Sequence, residues 1–171
     1  MKAFDPLGAL EVLLDHEVDF VLIGGLAARL HGSPTVTDDL DICHDKQRAN
    51  LERLAAALAR MEARLRLPDP DEVVPAVLDD RMLAAVDSMT LVTDFGPLDL
   101  LGAPAGVESY AELARRSITM KLDGLTIKVA SLDDLMAMKK AAGRRKDLIE
   151  LEILAALKEE IGRSDGSQEP A

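Results

Sequence analysis

The sequence predicts a mixed α/β domain: a central sheet flanked by helices on one side, with the last two helices completing a cleft over the sheet edge. Three observations lead there. Apolar runs of strand length alternate with stretches whose hydrocarbon positions recur at helical spacing. The run Phe20-Val21-Leu22-Ile23 ends in Gly24-Gly25. Further on, Asp39-Leu40-Asp41-Ile42 and Leu98-Asp99-Leu100-Leu101 place acids in segments that are otherwise apolar.

Taken in order, Asp5-Pro6 opens a helix over Pro6 to about His16, with Leu7, Leu10, Leu13 and Leu14 on one face and Asp5 as its N-cap. Val18 to Ile23 reads as a buried strand, Gly24-Gly25 as a tight turn, and Leu26 to Leu30 as a short helix closed near Gly32. Ser33-Pro34 begins a loop. Asp39 to Cys43 is the second strand, followed by a long Ala/Leu-rich helix from Lys46 to about Leu65, with Glu52, Arg53, Arg60 and Glu62 in solvent, and then by a polar stretch over Leu67 to Pro75. Met89 to Thr93 and Leu98 to Leu101 form a hairpin through Asp94-Phe95-Gly96-Pro97. A helix over Glu108 to Arg116 precedes a second hairpin, Ile118 to Leu122 and Thr126 to Ala130, around Asp123-Gly124. Ser131 caps the next helix, whose positive end Asp133 and Asp134 complement, and a last helix runs from about Lys146 to Ile161. Residues 1–162 are thus expected to form one domain, its C-terminal helical part about 131–162, with a polar, fraying tail over 163–171.

Composition narrows the function. Of the 171 residues 48% are apolar but only 2% aromatic, so the core is built from Leu, Ala, Val, Ile and Met. A net charge of −11 argues against a broad nucleic-acid surface, because displacing counterions from phosphates requires a positive one. Cys43 is the single cysteine, which excludes an internal disulfide and a zinc–cysteine cluster. With no apolar stretch of membrane-spanning length and no secretory pattern at Met1-Lys2-Ala3-Phe4, the expected location is the cytoplasm.

The acids carry the chemistry. Side chains of an extended segment repeat every two residues, so Asp39 and Asp41 project from one face while Leu40 and Ile42 enter the core. Asp is depleted in strands, and two carboxylates so close repel unless a proton, a cation or water intervenes. Asp99 repeats the pattern. Three strand aspartates brought together suit two Mg²⁺ ions, which take carboxylate, water and phosphate oxygens and clamp the attacking and leaving oxygens of a phosphoryl displacement. Gly24 and Gly25 let backbone amides approach a phosphate at the start of a helix. Neither a Gly-x-Gly-x-x-Gly fingerprint nor a P-loop is present.

In this order, Gly24-Gly25, Asp39-Leu40-Asp41-Ile42 and Asp99, the chain resembles the nucleotidyltransferase superfamily, the polymerase-beta-like fold. Gly24-Gly25-Leu26-Ala27 and Lys139-Lys140-Ala141-Ala142-Gly143-Arg144-Arg145-Lys146-Asp147 look most like its small bacterial AbiEii-like branch, and the resemblance covers roughly residues 18–155. It implies a mixed sheet flanked by helices, with C-terminal helices closing the cleft. It also implies an enzyme that binds an NTP, ATP included, and moves its NMP to a hydroxyl acceptor with release of pyrophosphate. By that resemblance Asp39 and Asp41 hold both Mg²⁺ ions, Asp99 binds the catalytic one and accepts or orients the acceptor's proton, and Gly24 and Gly25 cradle the β and γ phosphates. Lys139 and Lys146 are its favoured phosphate partners. The acceptor it suggests is RNA such as tRNA ends, or a protein, in a toxin–antitoxin pair with an antitoxin partner; an aminoglycoside or lincosamide is the alternative.

Leu26 departs from the pattern, since many members carry Ser or Thr there, and Ser33 is the candidate replacement hydroxyl. That departure keeps open a catalytically silent nucleotide-binding protein. A metal-dependent phosphohydrolase also uses an Asp-x-Asp pair but lacks the upstream Gly-Gly. The basic segment 139–146 has a structural reading too, as cations at a helix C-terminus. Asp147 is expected to cap the last helix or pair with a neighbouring base; His16, His31 and His44 read as structural, and Met120, Met136 and Met138 as core.

Overall fold

A computed structural model describes residues 3–69, 73–74 and 77–166. One eight-stranded mixed sheet, flanked by helices, organises the chain in the order β4-β3-β5-β6-β2-β1-β8-β7. The opening helix α1 (Pro6–Asp15) is capped by Asp5, whose side chain accepts the Gly8 amide at 3.0 Å. Strand β1 (Phe20–Ile23) is buried along its whole length and feeds directly into α2 (Gly24–Leu30). Gly24-Gly25 is therefore the first turn of that helix and not a separate turn before it. Gly24 adopts φ +69°, a left-handed backbone that glycine reaches without steric cost.

Strand β2 (Leu40–His44) lies at the centre, antiparallel to β1 and parallel to β6 (Gly96–Leu101). Helix α3 (Arg48–Arg60) ends five residues before the expected Leu65. Glu62 turns to φ +52°, the Ala63 amide bonds the Leu58 carbonyl at 3.0 Å, and the chain leaves as β3 (Arg64–Arg66). Helical periodicity extended across this stop because no Gly or Pro marks it. Strand β3 pairs with β4 (Val73–Val74) and with β5 (Ser88–Thr93); the rest of the expected 67–75 stretch lies partly outside the described residues. A short helix α4 (Asp80–Ala85), which the pattern did not reveal, is capped by Asp79 and anchored by buried Leu83.

The β5–β6 hairpin closes on Thr93↔Gly96, with the Thr93 hydroxyl donating to the Gly96 carbonyl at 2.9 Å. Pro97 is tolerated in β6 because pairing with β2 starts only at Leu98. After α5 (Tyr110–Arg116) come β7 (Ile118–Leu122) and β8 (Leu125–Val129), an antiparallel hairpin whose second strand joins β1. Helix α6 (Leu132–Ala142) is capped by Ser131 and ends at left-handed Gly143. Helix α7 (Arg145–Gly166) runs past Ile161, and 167–171, most of the expected tail, lie outside the described residues. The core is aliphatic, with Leu22, Ile42, Leu54, Leu91, Leu98 and Leu100 at or below 1% exposure. No helix among the described residues is long and apolar enough to cross a membrane.

Candidate active site

Register builds the site. Ile23 of β1 stands opposite Asp41 of β2, Asp41 beside Asp99 of β6, and Asp99 opposite Thr90 of β5, so one row across four strands carries two of the three acids. Asp39 immediately precedes β2, and the Thr37 hydroxyl donates to its Oδ1 at 2.6 Å. One carboxylate oxygen from each of Asp39, Asp41 and Asp99 lies within 4.8 Å of the other two. The alternation that puts these acids on one face sends Leu40, Ile42, Leu98 and Leu100 into the core.

Such crowding is visible in the acids' protonation. Burial, then the charges of Asp39 and Asp99, push the Asp41 carboxyl from 3.8 up to about 7, against a smaller opposing pull from Lys139 and the Gly25 amide. Burial also raises Asp99, although the Thr90 hydroxyl bonds its carboxylate and Arg66 and Lys146 favour its charge. Asp99 Oδ1 is buried and has no hydrogen-bond partner among the described residues. A buried acceptor without a donor is costly, and a cation is what an all-oxygen cluster of this kind accommodates. The donor set fits Mg²⁺.

Gly24 and Gly25 border the acids closely. A Cβ on Gly24 would fall 2.1 Å from Asp41 Oδ2, and one on Gly25 would fall 2.7 Å from Thr37 Cβ. Only glycine lets the helix start sit against the carboxylates. Leu26 does not face this space; it lines a separate depression with Phe4, Leu30 and Leu122. Ser33 Oγ is bonded to Thr35 and does not line the acidic chamber, whereas Thr35 and Thr37, which the sequence did not single out, do.

Opposite the acids, Lys139 from α6, with Arg144 and Lys146 from the α6–α7 junction, border the same polar chamber of about 260 Å³. Lys139 is bonded to Asp147 at 3.4 Å and to Glu150. Asp147 is fully buried; it accepts the Arg144 amide at 3.2 Å and its Nε at 2.6 Å, and so caps α7 and pairs with a base at once. The Arg144 guanidinium holds the Asp147 carboxyl below the usual carboxylate range. Arg144 belongs with Lys139 and Lys146, and its spacing ahead of Asp147 was the available signal. The histidines are structural: His16 Nδ1 meets the Val12 carbonyl, His31 Nε2 the Ala130 carbonyl, each at 2.8 Å, and burial lowers the pKa of His44.

Comparison of whole folds identifies the architecture. The structure of the lincosamide antibiotic adenylyltransferase LnuA, bound to lincomycin, superposes with a TM-score of 0.57 at 14% identity, covering 90% of this chain and 99% of that one. The chain has the nucleotidyltransferase fold. A Thermotoga maritima protein described as a candidate nucleotidyltransferase is also similar, at 16% identity and a TM-score of 0.48, covering 94% of this chain and 97% of that one. The sequence matches no protein-family profile and no curated protein. Within the nucleotidyltransferase fold the acids, the glycine-led helix α2 and the α6–α7 cations all border one chamber.

Proposed function

We propose that the protein transfers an NMP from an NTP to a hydroxyl acceptor and releases pyrophosphate. The observation that carries this is the convergence of Asp39, Asp41 and Asp99, with an unpartnered Asp99 oxygen, on a chamber walled by Gly24, Gly25 and three cations. Asp39 and Asp41 would hold both Mg²⁺ ions and Asp99 one of them, and the ions would supply Lewis-acid stabilisation of the charge that develops on phosphate. Gly24 and Gly25 leave room for the β and γ phosphates at the start of α2. Lys139, Arg144 and Lys146 balance the anion as point charges or forks. Asp99 also receives or orients the proton of the attacking hydroxyl.

For the acceptor, the resemblance of the 139–147 segment to the AbiEii-like branch leads to RNA such as a tRNA end, or to a protein, with an antitoxin partner. With a net charge of −11, RNA contact would be confined to that basic segment. A lincosamide or aminoglycoside is the second reading, favoured by the near-complete coverage of the LnuA chain. Incubation with α-labelled NTPs, Mg²⁺ and in turn tRNA, cell protein and lincomycin tests both. Label should move to one acceptor class with wild type and to none with Asp41→Asn; equal transfer by the two proteins would refute the proposal.

A further inference from the structure

The polar chamber has an apolar neighbour. A cavity of about 200 Å³ opens beside it, lined by Ile23, Leu101 and Pro104 on the sheet side and by Leu135, Met138 and Ala142 along one face of α6. Gly24, Asp41, Lys139 and Arg144 border both spaces. The two are therefore adjoining chambers of one cleft, acidic and cationic on one side of the shared wall and aliphatic on the other.

The aliphatic walls are held in place. Gly106, at φ +84°, sits so close to α6 that a Cβ there would fall 2.5 Å from the Ala137 carbonyl oxygen, and the Val107 amide closes a turn onto Pro104 at 3.3 Å. The loop after β6 is seated on the helix, and the slot between them keeps its width.

We infer that this apolar chamber receives the nucleobase of the NTP, gripping its faces without reading its edge, so that the four common ribonucleotides bind on similar terms. The inference rests on the nucleotidyl-transfer reading above. A ligand filling both chambers must be polyanionic at one end and flat or apolar at the other, and it must cross the wall at Asp41 and Gly24, where a reacting phosphate would lie. A nucleoside triphosphate has that build. Beyond the shared wall the lining side chains are hydrocarbon or thioether, save Asp147, whose oxygens are already engaged by Arg144 and Lys139. A site discriminates strongly between polar ligands only where its own polar groups would otherwise go unpaired. Among the side chains beyond the shared wall, this one has none to spare. No aromatic ring among the described residues lines the slot either, so contact is by dispersion with Leu135 and Met138.

Calorimetry in Mg²⁺ with inorganic tripolyphosphate and with α,β-methylene analogues of ATP, GTP, CTP and UTP separates the two chambers. The four analogues should bind within about threefold of one another and each about tenfold or more tighter than tripolyphosphate. Met138→Ala, which removes one wall, and Ala142→Leu, at an exposed position that narrows the slot, should each weaken the analogues about fivefold and leave tripolyphosphate unchanged. The inference is overturned if the analogues bind no tighter than tripolyphosphate, as they would were the slot filled by the acceptor's apolar body. A tenfold preference for one base, or variants that shift both ligand types alike, overturns it as well. Failure of the analogues and tripolyphosphate alike to bind in Mg²⁺ would sink the underlying transfer reading, and this inference with it.

Discussion

Asp41→Asn should make the metal-free protein more stable while abolishing its response to Mg²⁺. The Asp41 carboxyl stands at about 7 where 3.8 is ordinary, so between those pH values the folded chain keeps a proton that the unfolded chain has released. Stability must then fall as pH rises through that window and stay low above it. At about 1.4 kcal/mol per pH unit, the full cost is about 4 kcal/mol, an upper bound because the acids titrate together. Asparagine removes that charge and part of the repulsion on Asp99. At pH 8 without metal, the variant should gain about 2–4 kcal/mol, or about 10 °C in Tm for a chain of this size. At pH 4 the two proteins should melt together. Urea and thermal melts at both pH values, with and without Mg²⁺, provide the readout: wild type should recover stability on adding Mg²⁺ at pH 8, and the variant should not. A variant no more stable than wild type at pH 8, or equally stabilised by Mg²⁺, would refute the argument that crowded carboxylates define this site.

Gly24→Ala, with its Cβ 2.1 Å from Asp41 Oδ2 and a left-handed backbone, should cost about 1–2 kcal/mol in strain and weaken Mg²⁺ binding at least tenfold by calorimetry. Asp147→Asn leaves Arg144 and Lys139 short of a buried counter-charge and should lower stability by about 3 kcal/mol in urea melts. Asn50→Ala removes the side chain that accepts the Asp19 amide at 2.7 Å and donates to the Asp19 and Asp45 carbonyls at 3.0 and 2.9 Å, costing about 2–3 kcal/mol by the same measurement. The Cys43 thiol, buried and pushed up to about 12, should resist thiol reagents at pH 8 until the protein is unfolded.

The legible parts of this fold were those where side-chain period and burial agree. Acid and hydrocarbon alternate at 39–42 and 98–100 because one face is wet and the other is core, and that period located the acids without any knowledge of pairing. What period alone does not contain is the parallel register that sets Asp41 beside Asp99, since no local feature of either strand names its partner. The weak elements were those with few apolar residues to repeat. Arg64-Leu65-Arg66 offers one, and α4 fully buries Leu83 alone, so both fell below the pattern. Gly24-Gly25 looked like a turn because glycine disfavours helix interiors, yet here it starts one, and the reason is a carboxylate on another strand. Thr37 and Arg144 reach the site from a loop and a helix junction, where no periodicity operates.

Because the two inner acids share a rung of hydrogen-bonded backbone, the length of the chain is constrained unevenly. Deleting or adding one residue inside β2 or β6 would swing Asp41 or Asp99 through half a pleat and exchange each for a leucine or isoleucine. The stretch linking them, from α3 through the outer strands to β5, carries no such demand. Homologues should accordingly vary in size between positions 45 and 87 while keeping the spacing from 39 to 41 and from 96 to 101 free of gaps.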